Sequence, residues 1–175
     1  MWFPGLKNAY TDGFGMRPVL LHPESRGELK LRSSNPTDKP RIIQNFLESP
    51  NDLPVLREGV KIVRDIISQN SMDKWRGTEV EPGLNVKTDA DIDQWIKQNA
   101  ITAHHPSCTC PMGIGEEAVL DPELKVRGIE NLRVIDAASM PDLVSGNINA
   151  CVLMIAEKAA DMLQGKSPLP SAEGI

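Results

Sequence analysis

The stretch from Ala103 to Gly113 is the part of the sequence richest in reactive side chains. It holds two of the three histidines of the chain, the adjacent His104 and His105, together with a Cys-x-Cys sequence. Two prolines and a glycine keep this stretch out of regular structure, and loops held by a scaffold often carry catalytic groups. A neutral imidazole is well suited to take a proton from a hydroxyl near pH 7. The residues alone leave a catalytic base, a metal site and two ordinary loop histidines open.

A metal site is the sharper alternative at this loop, because His104, His105, Cys108 and Cys110 are four soft or borderline ligands. Adjacent histidines point in divergent directions, however, and Cys-x-Cys lacks the two-residue gap common in zinc knuckles. Pro111 also stiffens the loop against wrapping around an ion. We therefore expect no metal here, and we interpret the two cysteines as small, buried apolar residues.

A second candidate site runs from Asp136-Ala137 to Asn147-Ile148-Asn149. A short apolar strand, a proline-containing loop and a helix start would aim backbone N–H groups at one place. A helix N-terminus carries about half a positive charge and favours an anion. The spacing is explained as well by an asparagine, Asn147 or Asn149, that only caps the helix. Neither site by itself names a reaction.

Both strands and helices are predicted to position these sites. Alternating polarity predicts antiparallel strands, and apolar spacing of three and four predicts helices. A capping box opens the second helix, whose Ile92, Trp95 and Ile96 should face inward. The last helix is apolar around much of its circumference, which predicts cover on most sides. The predicted strands are Glu28–Arg32, Arg41–Phe46 and Leu132–Asp136, and the predicted helices cover 51–70, the stretch from Thr88, and Asn147–Leu163.

The amino-acid composition limits the classes of function that the chain can have. The chain has 175 residues, 40% of them hydrophobic and 25% charged, with a net charge of -5, which is typical of a globular domain. Few aromatic residues and the lack of a basic block argue against a nucleic-acid partner. Three cysteines form no disulfide framework, which favours a reducing compartment. The longest apolar run is far short of the roughly 20 residues that span a bilayer, so the sequence predicts a cytoplasmic protein without a transmembrane segment.

Taken in order, these motifs resemble the C-terminal part of the glucose–methanol–choline (GMC) flavoprotein oxidoreductases, most closely choline-dehydrogenase-like members. The resemblance runs from about Phe3 to Leu163. It rests on five segments in register: His22–Ser33 with Asn35-Pro36, His105–Gly113, Asp121–Ile129, Leu132–Ala137, and Asn147–Asn149 with Ala156–Asp161.

The resemblance implies an α+β fold: an antiparallel substrate-domain sheet with flanking helices, plus the last strand and helix of an FAD-binding fold. It places an N-terminally truncated substrate-binding domain at residues 1–130, the terminal strand and helix of the FAD domain at 131–164, and a flexible tail at 165–175. The Gly-x-Gly-x-x-Gly turn that holds the ADP half of FAD is absent from the sequence. The chain is therefore expected to be a C-terminal part of the architecture, with the FAD-binding N-terminal half elsewhere in the same enzyme or in a complementing chain.

Residue roles follow from the same resemblance. His105 falls on the family's catalytic base and His104 does not, while Asn147 falls on the second active-site position. Flavin contacts are implied for Asp136, Ala137, Asn147, Ile148 and Asn149. The implied function is FAD-dependent oxidation of a small alcohol, with proton abstraction at His105 and hydride transfer to flavin N5. The alternative is a non-catalytic remnant or interaction module that keeps the fold without flavin. We also expect the isolated chain to self-associate.

Overall fold

The computed structural model describes residues 12–167 and 169–170. The start of the resemblance at Phe3 and the end of the predicted tail lie outside these residues. The described chain forms two compact units, the first from residues 12–20 and Leu47–Ile101, the second from Leu21–Phe46 and the residues after Ile101. The predicted domain boundary at residue 130 remains a prediction.

Two helices build the first unit. Helix α1 spans Asp52–Ser68 and helix α2 spans Asp89–Asn99, and a short 3₁₀ turn, Asn70–Met72, follows α1. Their apolar faces meet around Val60, Ile92 and Ile96, of which Ile92 is only 1% exposed. Trp95 is half-buried against the same cluster. The inward-facing residues predicted for α2 are therefore confirmed, and the helical period alone identified them.

The capping box predicted at the start of α2 is present. The Thr88 hydroxyl accepts a hydrogen bond from the Asp91 backbone N–H at 3.2 Å, and the Asp91 carboxylate accepts one from the Thr88 N–H at 2.8 Å. Each side chain thereby satisfies a backbone donor that the helix itself leaves without a partner.

The second unit contains one antiparallel hairpin. Strand β1, Glu28–Lys30, pairs with strand β2, Arg41–Ile43, so that Leu29 lies opposite Ile42. Both strands are shorter than predicted, although their order and direction are as expected. In the turn between them, Asn35 and Ser33 bind the Asp38 carboxylate. Leu29 and Ile42 are 50% and 65% exposed, so this hairpin has no covered face among the described residues.

The core of the second unit lies under its last helix, α3, Asn149–Leu163. Ile155 and Ala159 of this helix pack on Leu120, Leu124 and Met140, and Leu120 is fully buried. The opposite face of α3 is open, since Leu153 and Met154 are each 57% exposed. The prediction that this helix is covered on most sides is thus not met by the described residues.

The strand predicted at Leu132–Asp136 does not form. Among the described residues, its one ladder contact is an isolated bridge between Arg133 and Lys125. Two backbone hydrogen bonds flank the bridge: the Val126 N–H donates to the Leu132 carbonyl, and the Val134 N–H donates to the Leu124 carbonyl. A regular strand needs a straight neighbour to pair with. The segment available to it is bent, because the Asp121 carboxylate accepts the backbone N–H groups of Glu123 and Lys125 at 2.8 and 2.9 Å. The apolar sequence alone therefore did not predict the conformation of this segment, which is extended but does not pair as a regular strand.

Residues 101–122, all of them described, are irregular as predicted. No described helix is long and apolar enough to cross a membrane. The described elements, three helices and one antiparallel hairpin, are compatible with part of an α+β domain.

Candidate active site

A short 3₁₀ turn, Ala137–Ser139, supports the backbone of the candidate site. The Asp136 carboxylate caps it by accepting the Ala138 backbone N–H at 2.7 Å. Ser139, which is fully buried, donates from both its hydroxyl and its backbone N–H to the Asp136 carbonyl, at 2.7 and 3.1 Å. Asp136, a predicted flavin contact, is therefore engaged by its side chain in shaping the backbone of this turn.

Three backbone hydrogen bonds join this turn to the histidine-containing loop. The N–H groups of alternate loop residues donate to consecutive carbonyls of the turn, forming what we call the three-bond ladder. The pairs are Cys108 to Ala137 at 3.1 Å, Cys110 to Ala138 at 2.9 Å, and Met112 to Ser139 at 3.0 Å. The two candidate sites of the sequence are thus one hydrogen-bonded assembly. The residue pattern contained no signal of this pairing, because its partners are about 30 residues apart.

The two adjacent histidines occupy different environments. His104 is exposed, has a φ of +62°, and donates its backbone N–H to the Thr102 hydroxyl at 3.0 Å. His105 is partly buried and lies three residues before the first bond of the ladder. The left-handed conformation of His104 is uncommon for a residue other than glycine, and the two histidines also differ in exposure. In the described part of the chain no hydrogen bond joins His105 to Asn147.

The cysteines pack as apolar residues. Cys108, Cys110 and Cys151 are unpaired, half-buried, and in contact with the core cluster beneath α3. The Cys108 thiol lies 3.2 Å from the Ser107 hydroxyl. The packing role predicted for Cys108 and Cys110 is confirmed, with partial rather than complete burial. Nowhere in the described residues do three His, Cys, Asp or Glu side chains cluster as metal ligands would.

The start of α3 carries no side-chain cap. Its N-cap residue is Ile148, whose side chain packs on the core cluster and offers no acceptor to the helix. The interpretation of Asn147 or Asn149 as a mere cap is therefore wrong. Both asparagines are exposed, and the backbone N–H groups of the first turn have no side-chain acceptor from the N-cap residue.

A further contact that sequence reasoning missed joins the His22–Ser33 run to the loop before Asn147. The Asp142 carboxylate lies 3.9 Å from His22 Nδ1 and 3.6 Å from the Arg26 guanidinium. The Arg26 carbonyl in turn accepts a hydrogen bond from the Asn45 side chain at 3.0 Å. Nothing in the local sequence marks Asp142, since its partners lie more than 110 residues away.

The GMC oxidoreductase family model matches residues 23–156 of the chain, a range that contains the ladder, both histidines and the start of α3. The chain belongs to the GMC oxidoreductase family. This GMC chain is 49% identical over 166 residues to an oxygen-dependent choline dehydrogenase from Vibrio vulnificus (strain YJ016), an alignment that covers 93% of this chain and 30% of the relative. The resemblance drawn from the motifs is thus confirmed.

Solved structures agree. The GMC chain superimposes on the crystal structure of pyridoxine 4-oxidase from Mesorbium loti with a TM-score of 0.78 and 34% identity, covering 85% of this chain and 29% of the other. It also matches an FAD-dependent oxidoreductase from Chaetomium thermophilum with a TM-score of 0.77 and 32% identity, covering 83% and 25%. GMC oxidoreductases are FAD-dependent. The chain therefore has the fold of a portion of these flavoproteins, and it spans about 30% of the length of the curated relatives it matches.

Proposed function

We propose that this chain is the C-terminal part of an FAD-dependent oxidoreductase that oxidises the CH–OH group of a small alcohol to a carbonyl. The observation that carries the proposal is the three-bond ladder. It fixes the loop of His105 to the turn that leads into the start of α3. The proposed base and the helix end proposed to face the cofactor would thereby lie on one backbone assembly over one core cluster.

The donors at the start of α3 fit one end of a flavin. The pyrimidine ring of a flavin presents carbonyl oxygens and takes up negative charge when the flavin is reduced. The first turn of α3 has backbone N–H groups that its N-cap side chain leaves unused, and exposed asparagine amides stand on either side of Ile148. The helix dipole favours negative charge at this end. Ile148 and Asn149 would hold the ring there, while Asp136 and Ala137 would contribute through the backbone of the turn.

The chain's own residues then divide the work of an alcohol oxidation. His105, as a neutral imidazole, would accept the hydroxyl proton of the substrate. Asn147 would donate a hydrogen bond from its side-chain amide to the same oxygen and hold it in place. A bound FAD would supply the hydride acceptor, its N5, so that an alcohol giving up one proton to His105 and one hydride to the flavin would leave as the carbonyl.

The remaining part of the flavin site would lie outside this chain. The curated relatives are more than three times as long as the matched segment, and the sequence has no glycine-rich turn for a pyrophosphate. We infer that an N-terminal half, in the same polypeptide or as a complementing chain, binds the ADP portion.

A chimera tests this function. The matched 166 residues of the Vibrio vulnificus relative are replaced by the corresponding residues of this chain, and alcohol-dependent flavin reduction is followed by absorbance with choline as the first substrate. His105→Ala should lower turnover about 10²–10⁴-fold while the flavin band is retained, because general base catalysis is lost.

His104→Ala is the matched control, since the same imidazole is removed one residue away from an exposed position. It should cost far less turnover than His105→Ala. Equal losses in the two variants would contradict the assignment of the base. A chimera that binds flavin but is reduced by no alcohol would favour the non-catalytic alternative.

A further inference from the structure

Residues 141–147 form the segment that leads into α3, and apolar packing holds this segment at both ends. Met140, just before it, is only 2% exposed in the core cluster beneath α3, and Ile148, just after it, packs on the same cluster. Asn147 is the last residue of the segment. The position of its side chain therefore depends on what holds the segment between its two ends.

The backbone directly before Asn147 has little steric restraint of its own. A Cβ atom at Gly146 would meet no atom within 4 Å beyond its chain neighbours, and glycine is the residue with the greatest backbone freedom. The Gly146 N–H donates to the Val144 carbonyl at 2.9 Å, a hydrogen bond that lies within the segment. Contacts that leave the segment must therefore fix this stretch relative to the rest of the unit.

One side chain in the middle of the segment makes such contacts. Asp142 Oδ1 lies 3.6 Å from the Arg26 guanidinium, and Asp142 Oδ2 lies 3.9 Å from His22 Nδ1. The Leu143 N–H donates to Asp142 Oδ1 at 2.9 Å and so orients the carboxylate. Among the described residues, the two contacts to Arg26 and His22 are the polar contacts that leave segment 141–147.

The guanidinium of Arg26 is itself held in place. It donates hydrogen bonds to the backbone carbonyls of Pro23 and Ser25. An exposed ion pair usually shifts an equilibrium by less than about fivefold, because two side chains must be held in one geometry. Here the Arg26 side chain is already restrained by its two carbonyl partners, and Asp142 is short and bonded to its own neighbour. The entropic cost of forming this pair is therefore reduced.

The backbone around Arg26 is fixed as well. The Arg26 carbonyl accepts a hydrogen bond from the Asn45 side chain at 3.0 Å. A Cβ atom at Gly27 would lie 2.5 Å from the Ile43 carbonyl oxygen, a distance at which the backbone would have to move. The close approach of the base of the hairpin to β2 thus requires glycine at position 27. Arg26 is a fixed point to which the segment before α3 can be tied.

We propose that Arg26 and Asp142 are positioning residues for Asn147. Their ion pair ties segment 141–147 to the base of the hairpin and so keeps the Asn147 amide where it can donate to the substrate oxygen. The inference rests on the proposed function, in which Asn147 makes that hydrogen bond. The pair acts through Asn147 and makes no contact with the substrate itself.

Hydrogen exchange in the chimera tests the hold on the segment. Asp142→Asn removes the charge but keeps an oxygen that can accept the Leu143 N–H. Peptides that contain Gly146, followed by mass spectrometry, should exchange about two- to fivefold faster in this variant. Arg26→Gln should have a similar effect, and the double variant should exchange no faster than either single variant, because one interaction is lost in all three.

Glu28→Gln is the matched control on the same hairpin. It also replaces a carboxylate by an amide, and it removes a closer ion pair, since Glu28 lies 2.7 Å from Lys30. That pair lies within β1 and does not reach segment 141–147, so exchange at Gly146 should not change. Unchanged exchange in Asp142→Asn, or an equal acceleration in Glu28→Gln, would overturn the proposal.

The rate constant of flavin reduction at saturating alcohol tests the action through Asn147. Asp142→Asn should lower it by up to about fivefold, and Asp142→Glu should recover most of the loss, because the longer carboxylate still reaches Arg26. In an Asn147→Ala background, Asp142→Asn should cause no further loss. Two losses that multiply would overturn the proposal, since the pair would then act at another point of the site.

The two measurements separate this proposal from the proposed function, because hydrogen exchange is measured without any alcohol. Faster exchange in Asp142→Asn, in a chimera whose flavin no alcohol reduces, would support the hold on the Asn147 segment and contradict the reaction alone. Flavin reduction that depends on His105, with exchange unchanged in Asp142→Asn, would overturn the positioning role alone.

Discussion

Helices α2 and α3 begin in opposite ways. The start of α2 is closed by its own side chains, because Thr88 and Asp91 each accept a backbone N–H of the other. The start of α3 has Ile148 at the same position, and this side chain accepts nothing. The first arrangement satisfies backbone donors of the helix start within the chain, and the second provides no side-chain acceptor from its N-cap residue.

The contacts around the two helix starts also differ in type. Around α2 the contacts are between side chains: Arg57 pairs with Asp93 at 2.9 Å and Lys61 with Asp89 at 2.8 Å. Around the start of α3 the contacts are between backbone groups, in the three-bond ladder. Backbone hydrogen bonds fix a loop without using its side chains, so under the proposed function the side chains of His105 and Asn147 would remain available for chemistry. The comparison supports the proposal that the irregular region, rather than the well-capped helix, holds the ligand.

Of the changes that test this contrast, a carboxylate added at the start of α3 should have the largest effect, because it would act on both stability and FAD binding. Asn149→Asp places a negative charge in the first turn of α3, where a charge stabilises the helix by about 0.3–1 kcal/mol. The same charge would repel the flavin on reduction and compete for the open amides. We therefore expect the chimera to become slightly more stable while FAD binding weakens about five- to thirtyfold, equivalent to about 1–2 kcal/mol. Urea unfolding and flavin fluorescence titration measure the two quantities.

Asn99→Asp controls for the charge itself. It makes the same substitution at the last residue of α2, where a carboxylate opposes the dipole and the Asn99 amide loses its bond to the Trp95 carbonyl. FAD affinity should not change in this variant. If Asn149→Asp raises stability and leaves FAD binding unaltered, the start of α3 is an ordinary helix end.

Removing the cap of α2 should have a smaller effect, on stability alone. Thr88→Ala deletes the hydroxyl that accepts the Asp91 N–H, and the loss of a threonine cap costs about 1 kcal/mol. The free energy of unfolding in urea should fall by about this amount, with turnover per bound flavin unchanged. Thr78→Ala, in the loop before α2, is the matched control and should be neutral. A drop in turnover per flavin would mean that α2 participates in the site.

The sequence predicted the local features well. The three helices were predicted to within about two residues at most ends, because amphipathic spacing and caps are local signals. The capping box at Thr88 was predicted to the residue. The role of Cys108 and Cys110 as packing residues was predicted from their spacing, and the family was predicted from motifs in register.

Features that depend on distant partners were beyond the sequence. The ladder joins residues 108–112 to 137–139, and the contact of Asp142 with Arg26 spans a still longer separation. The segment 132–136 has the apolar composition of a strand, but its conformation is decided by the neighbour with which it pairs. Ile148 at the start of α3 breaks the usual preference for a polar cap, and departures of this kind are expected at functional sites.

The smallest expected effect is the pH dependence of the stability that the capping box contributes at the start of α2. The Thr88 backbone N–H, followed by the Thr88 hydroxyl and the Lys87 N–H, holds the pKa of Asp91 below its ordinary value. A carboxyl whose folded pKa is depressed stabilises the protein above its unfolded pKa of roughly 4, and this contribution is lost as the pH falls through the folded pKa. Asp91→Asn keeps an acceptor for the Thr88 N–H but cannot titrate. The difference in unfolding free energy between the parent protein and this variant should therefore be present at pH 7 and shrink below roughly pH 4.

Asp121 gives the corresponding test in the second unit. The Lys125 backbone N–H is the main cause that lowers the pKa of this carboxyl, with the Glu123 N–H and the charges of Lys125 and Arg133 adding to it. Asp121→Asn should show the same loss of its effect in acid, and the two substitutions should add, because they share no partner. Urea titrations of both single variants and the double variant at pH 7 and pH 3 measure this. A stability difference for Asp91→Asn that is the same at both pH values would show that the closed start of α2 owes its stability to hydrogen bonding alone, without the charge of Asp91.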